Sequence, residues 1–281
     1  MKKTIIILLL LFSTTLKVEA QFYPPFNIPI DKYQVLDSAY LKCTYKLTYI
    51  KDTVKKRKST DIQTLLIGSK ISKYFSQYAF EHNLKCQKLI QKGVQSIPSS
   101  SEFGALGYEI FKNYPKEKYT VTDLGSRLQG NFIYEESVPD LQWKISKEVD
   151  TILSYPCQKA TTQFRGRNYE AWFSTAIPIN NGPWKFGGLP GLILKLLDSQ
   201  QNYIFECIGI ESLKKKETIN LYKINYTHID RKDLNKLYYR YHNSPIEFEK
   251  SLGIRSTAVM VNGVRTENAN IKIPYNPIEL E

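Results

Sequence analysis

Histidine is scarce in this 281-residue chain, which holds only His82, His228 and His242. None falls in the HExxH spacing that puts two imidazoles on one helix face, so that zinc-peptidase site is excluded. No serine occupies a GxSxG turn, and the glycines lack the Gly-Lys-Ser/Thr ending and following helix of a phosphate loop. Long apolar runs are missing too. Beyond the first twenty residues nothing approaches the roughly 20 apolar residues that span a bilayer, so the mature chain carries no transmembrane segment. Basic residues outnumber acidic ones, 39 to 27, for a formal charge of +12. They are dispersed apart from Lys51–Lys58 and Lys214–Lys216, with no recognition module between them. That pattern excludes nucleic acid as a partner and leaves attraction to anionic lipid or polysaccharide surfaces.

What is present begins with a leader. Lys2 and Lys3 precede an apolar run from Ile5 to Phe12, and small residues close the stretch at Val18-Glu-Ala20. Residues 1–20 read as a signal peptide, with the mature protein starting at Gln21 in the periplasm, at the envelope or outside the cell. No cysteine stands at the cleavage point, so lipid attachment there is not expected. Four cysteines remain after export: Cys43, Cys86, Cys157 and Cys207. In an oxidising compartment they are candidate disulfide partners with three possible pairings, and buried free thiols are the alternative. Zinc is disfavoured because neighbouring cysteines are at least 43 residues apart.

Residues 21–37, with Pro24, Pro25 and Pro29, read as an extended arm, and 38–281 as a single domain. Leu41, Cys43, Tyr45, Leu47 and Tyr49 alternate with polar residues, the period of a strand with one packed face. Further strands are expected at 61–67, 118–123, 131–136, 169–173, 192–197, 203–210 and 219–224, with polar turns at the basic run and at 213–218. A boundary loop is expected at 95–101. Helices are expected at 75–91 and at 230–241, where Asp230 can cap and Leu234, Leu237, Tyr238 and Tyr241 form one stripe. Helical crossovers between strands are missing, which predicts a mainly β (α+β) fold: a curved antiparallel sheet or half-barrel with one or two packed helices.

Glycine and proline concentrate in one place. Gly182, Pro183, Gly187, Gly188, Pro190 and Gly191 fall within ten residues, beside Trp172 and Trp184. Such a segment fixes a backbone path, with Trp184 and Phe186 packed beneath it. Upstream, Gly166 is a natural hairpin apex flanked by Arg165 and Arg167. The two guanidinium groups can grip a phosphate or carboxylate, or pair internally with Glu170 or Asp198; internal pairing is the favoured reading. The candidate binding or structural motif is therefore Arg165, Arg167, Trp172, Trp184, Phe186, Gly188, Leu189, Pro190 and Gly191.

Gly188-Leu-Pro-Gly-Leu-Ile193, preceded by Gly182-Pro-Trp-Lys-Phe-Gly187 and Gly166-Arg-Asn-Tyr-Glu-Ala-Trp172, resembles the GLPGLI family of exported bacterial proteins. The likeness runs from about Tyr40 to about Pro277, and Tyr155-Pro-Cys157 and Lys159-Ala160 also fit. It implies an exported protein typical of the Bacteroidetes with no settled activity and no catalytic residues. The hairpins are also similar in plan to the half-barrel of LolA-like lipoprotein carriers, a likeness of fold alone. No catalytic set, metal or cofactor is assigned. The leading expectation is a periplasmic or envelope-associated protein that binds an apolar or amphipathic ligand such as lipid or peptide. The alternatives are an envelope-structural protein that binds other proteins and, behind it, a secreted hydrolase.

Overall fold

The computed structural model describes residues 30–94, 106–124, 128–254, 259–261, 264–267 and 271–281. The expected signal peptide, most of the expected N-terminal arm and the expected boundary loop at 95–101 lie outside the described residues. The strands are β1 (Tyr33–Asp52), β2 (Arg57–Gly68), β3 (Ser72–Ser76), β4 (Tyr108–Lys112), β5 (Lys118–Asp123) and β6 (Phe132–Ser137). They continue as β7 (Lys144–Ile152), β8 (Tyr155–Phe164), β9 (Arg167–Ser174), β10 (Leu192–Asp198), β11 (Tyr203–Tyr222) and β12 (Thr227–His228). All twelve belong to one open, curved sheet in the order β12-β6-β5-β4-β3-β2-β1-β11-β10-β9-β8-β7. The described neighbours pair antiparallel, except that β12 runs parallel to β6. The fold is mainly β.

The centre of the sheet follows from the alternation in β1. Cys43, Tyr45, Leu47 and Tyr49 are buried on one face while the residues between them are more exposed. That face gathers a large core with Leu65, Ile110, Phe173 and Phe205. Each fully buried side chain of this size stabilises by about 1.5–3 kcal/mol. A second cluster, with Ala39, Leu66, Phe75, Phe111 and Ile219, packs on the opposite face. Helix α1 (Gln77–Gln91) accompanies it through Phe80, which meets Phe75 edge-on. Ser76 caps α1 through its side chain, 3.1 Å from the Ala79 amide.

Several expectations shift. The basic stretch 213–218 is not a turn; it lies inside the 20-residue β11. The register there jumps from Leu41↔Ser212 to Ala39↔Glu217, so four residues bulge opposite Tyr40. The polar signal was real, but the long partner β1 carries the strand through it, and such bulges help the sheet to bend. Helix α2 (Arg231–Asn243) starts after Asp230, whose side chain makes no capping bond. Ser244-Pro245 ends α2 as expected, yet Pro245 also opens a third helix, α3 (Pro245–Ser251), because proline fits a first helical turn.

The expected disulfides do not form: Cys43, Cys86, Cys157 and Cys207 are all buried free thiols. Register explains the nearest pair. Cys207 stands opposite Tyr45, whereas Cys43 stands opposite Ile210. The two thiols are thus diagonal on one face, at a spacing of about 7–8 Å that exceeds the reach of a disulfide. Cys86 sits on α1, with its sulfur 3.4 Å from His82 Nε2.

Candidate functional site

The Gly/Pro segment between β9 and β10 does not skirt the sheet. It enters the core face, where Trp184, Phe186 and Leu189 are buried. Phe186 meets Tyr169, Phe164 and Trp143 at 4.6, 5.3 and 6.4 Å between centroids. A buried loop must satisfy its backbone, and two side chains distant in sequence do much of this. Lys112 of β4 donates to Asn181 Oδ1, Gly182 O and Phe186 O at 3.0, 2.8 and 2.8 Å. Trp143 Nε1 donates to Gly187 O at 2.8 Å. Burial pushes the Lys112 pKa down to about 7. Gly191 allows the exit from the loop, since a Cβ there would lie 2.1 Å from the Ser174 carbonyl oxygen.

Beneath the loop lies a charge cluster. The fully buried Lys185 ammonium is 2.6 Å from both Glu136 and Glu279. Arg231 lies 3.6 and 3.5 Å from the same two carboxylates, and Arg165 is 3.1 Å from Glu136. Burial works against the charged Lys185, but its electrostatic contacts with Tyr134, Glu279 and Glu136 outweigh that and hold its pKa above the usual lysine range. Glu279 belongs to the C-terminal strap, residues 271–281. Arg167 anchors that strap, donating to Ile278 O at 3.1 Å and to Asn276 Oδ1 and Pro277 O at 2.6 Å while pairing with Asp198 at 3.1 Å.

Between β4, β5, α2 and the strap a cavity of about 350 Å³ is left open, lined among others by Tyr108, Asp123, Trp184, Tyr203, Tyr238 and Tyr275. That volume lies within the range typical of small-ligand sites, about 300–1,000 Å³. The rings hold one another apart from collapse. Tyr108 meets Trp184 edge-on at 5.6 Å, while Tyr275 stacks on Tyr238 at 6.4 Å and on His242 at 4.3 Å. Asn276 pins the strap by donating to Ile50 O at 2.7 Å, and Ile273 N donates to His242 O at 2.8 Å. The polar centre of the cavity is Asp123. Burial pushes its carboxyl up to about 7, while the hydroxyl of Tyr238, which donates to it, pulls the other way. The site therefore offers aromatic faces together with one carboxyl that is partly protonated near neutral pH.

The structure separates the motif predicted from sequence. Arg165 does not flank the hairpin turn but occupies it with Gly166, at φ of +49° and +77°, in the two-residue geometry that suits a twisted hairpin. Both guanidinium groups spend their donors on internal partners: Arg167 on Asp198, Arg165 on Glu136 rather than Glu170. Trp172 lies half-buried on β9, donating to Glu170 at 2.9 Å beneath the Lys159 ammonium. Phe186 and Leu189 are core residues; Gly188, Pro190 and Gly191 shape the loop. Only Trp184 of that motif lines the cavity. The residues that sequence reasoning missed are Asp123, Tyr108, Tyr238 and Tyr275. Tyr238 was legible as part of the α2 stripe. Nothing in the sequence marked them as neighbours.

Among the described residues, no helix is long and apolar enough to cross a membrane. Residues 109–240 match the family model described as N-glycanase peptide, N-terminal domain. No curated protein matches the chain. Among solved structures, PNGF-II in two crystal forms, P21 and C2, is similar at 14% and 13% identity, each with a TM-score of 0.46. Each alignment covers 74% of this chain and 34% of PNGF-II, so this chain spans about a third of that protein's length. A structure described as an outer membrane lipoprotein-sorting protein domain from Vibrio parahaemolyticus aligns at 8% identity and a TM-score of 0.21, over 70% of this chain and 89% of that one. The chain is thus similar over residues 109–240 to the N-terminal domain of an N-glycanase.

Proposed function

We propose that this chain is an exported, non-catalytic binding module of the GLPGLI type that holds an amphipathic ligand in the tyrosine-lined cavity. The observation that carries this reading is the cavity itself: an opening of about 350 Å³ walled by tyrosines and a tryptophan around the Asp123 carboxyl. The leader sequence supports export. The core face of the sheet is filled by the chain's own loop, which leaves the cavity as the space for a ligand. A bare acyl chain in the remaining cavity would strip water from Asp123 and from tyrosyl hydroxyls, at about 1–3 kcal/mol for each group left unpaired. A ligand that brings hydroxyl or amide groups of its own fits better. The match to a domain named for an N-glycanase supports one that bears sugars.

The rival, an envelope-structural protein with a packed core, has the loop-filled face in its favour and the open cavity against it. Trp184 supplies the test, since it lines the cavity. In mature protein carrying Trp143→Phe and Trp172→Phe, Trp184 is the one remaining tryptophan. Titration with chitotetraose and with lauric acid is expected to give a saturable change in its fluorescence for the sugar, and Tyr238→Ala is expected to abolish it. Flat titrations with both, together with a bare mass for gently extracted protein, would sink the binding reading.

A further inference from the structure

A second cavity, of about 340 Å³, lies against the first, between the end of β1, α2 and the strap. Lys51, His242, Ile273, Pro274 and Tyr275 line both. The two are therefore compartments of one cleft, with the His242–Tyr275 stack as their common wall.

The compartments differ in charge. The inner one carries the carboxyl of Asp123 and is bordered by Glu279. Lys51 stands at the boundary the two share, and the outer one carries the exposed Lys272. Its one carboxylate, Asp52, is already engaged, accepting from the backbone N–H groups of Val54 and Lys55 at 3.0 and 2.9 Å. The adjoining β1–β2 turn adds the exposed Lys55, Lys56, Arg57 and Lys58. Glu279 is likewise engaged, by Lys185 and Arg231, so the cleft runs from a near-neutral interior to a basic mouth. Such a field orients a ligand that is neutral at one end and anionic at the other.

We propose that this cleft binds an acidic oligosaccharide, with a neutral sugar in the inner compartment and a carboxylate- or sulfate-bearing sugar in the outer one. The proposal rests on the reading of the inner cavity as a binding site. A sugar ring has an apolar C–H face that suits the tyrosine walls and a hydroxyl edge that suits Asp123 and the tyrosyl hydroxyls. The adjacent unit then reaches past the His242–Tyr275 wall to Lys51 and Lys272. An acyl chain satisfies neither compartment.

The test uses isothermal titration of mature protein with three probes: hyaluronan tetrasaccharide, in which neutral and carboxylate-bearing sugars alternate; chitotetraose, which is neutral; and tetraglutamate, which is acidic but lacks sugar. Hyaluronan tetrasaccharide is expected to bind about tenfold more tightly than chitotetraose, with tetraglutamate weakest. The Lys55→Gln/Lys272→Gln double variant, which leaves the lining of the inner compartment untouched, is expected to erase that preference and the salt dependence while leaving chitotetraose binding unchanged; near-UV circular dichroism verifies its fold. Equal binding of the two sugars, or a preference that survives the double variant, overturns the acidic-sugar proposal and leaves the cavity reading standing. Tetraglutamate binding as tightly as hyaluronan overturns it in favour of an acidic peptide. Loss of all binding in wild-type protein overturns both readings.

Discussion

The Gly/Pro loop and the cavity beside it draw on similar material, aromatic rings on the same face of one sheet, yet one region is filled and the other stands open. In the loop, glycines let backbone approach backbone, and Lys112, Asn181 and Trp143 satisfy the polar groups that go in with it. In the cavity, the ring of Tyr275 stacks on those of Tyr238 and His242, and the strap lines the gap that is left. The difference is one of side-chain size and backbone freedom. Small residues admit backbone to a core; large rings that brace each other keep it out.

Breaking the filled side is expected to have the largest effect. Lys185→Met leaves Glu136 and Glu279 buried with only the partial company of Arg231 and Arg165, and should cost about 4 kcal/mol, read as a lowered urea midpoint. A loss below about 1 kcal/mol would show that the two arginines suffice. Gly191→Ala comes next. Its new Cβ would meet Ser174 backbone at 2.1 Å, so the loop must withdraw, at about 3 kcal/mol, with Trp184 becoming accessible to acrylamide quenching. Unchanged quenching would mean that the loop holds its place despite the clash.

The third prediction sharpens the open side through pH. The Asp123 carboxyl titrates near 7 in the folded protein and near 3.9 in an unfolded chain. Between those values the folded protein retains a proton that the unfolded chain has released. The stability this group contributes is therefore full below about pH 3.9 and is lost as pH rises to about 7. Asp123→Asn, which keeps polar contact with Tyr238, should match wild type near pH 4 and gain on it steadily as pH rises to about 7, with a constant margin above that. Asp61, raised by burial to about 6, behaves alike in both proteins and cancels in the difference. A stability difference that does not vary with pH would remove Asp123 as the titrating group of the cavity.

Much of the fold was legible in the chain. The two-residue period of 41–49, the Gly166 hairpin and the helices near 77–91 and 231–243 are local properties, set by alternation, turn chemistry and apolar stripes. Where local signals misled, a longer partner prevailed: 213–216 reads as a turn but bulges within β11 because β1 runs on beside it. The cysteines misled for a similar reason, since an even count says nothing about register, and register sets Cys43 diagonal to Cys207. The candidate site was the least legible part. Asp123 closes a strand, Tyr238 sits mid-helix and Tyr275 lies in the tail, each ordinary in its own stretch.

Sequence alone determined that this is a mainly β protein with a positive charge and a glycine- and proline-rich segment of rigid path, because alternation, composition and the clustering of Gly and Pro can be read directly along the chain. Only the tertiary structure decided that the segment fills the sheet, that Arg165 and Arg167 look inward, and that a tyrosine-lined cavity adjoins one bordered by lysines. Those outcomes depend on contacts between residues a hundred or more positions apart, such as Arg167 with Ile278 and Asp123 with Tyr238, and no local pattern encodes which distant partner a buried charge will meet.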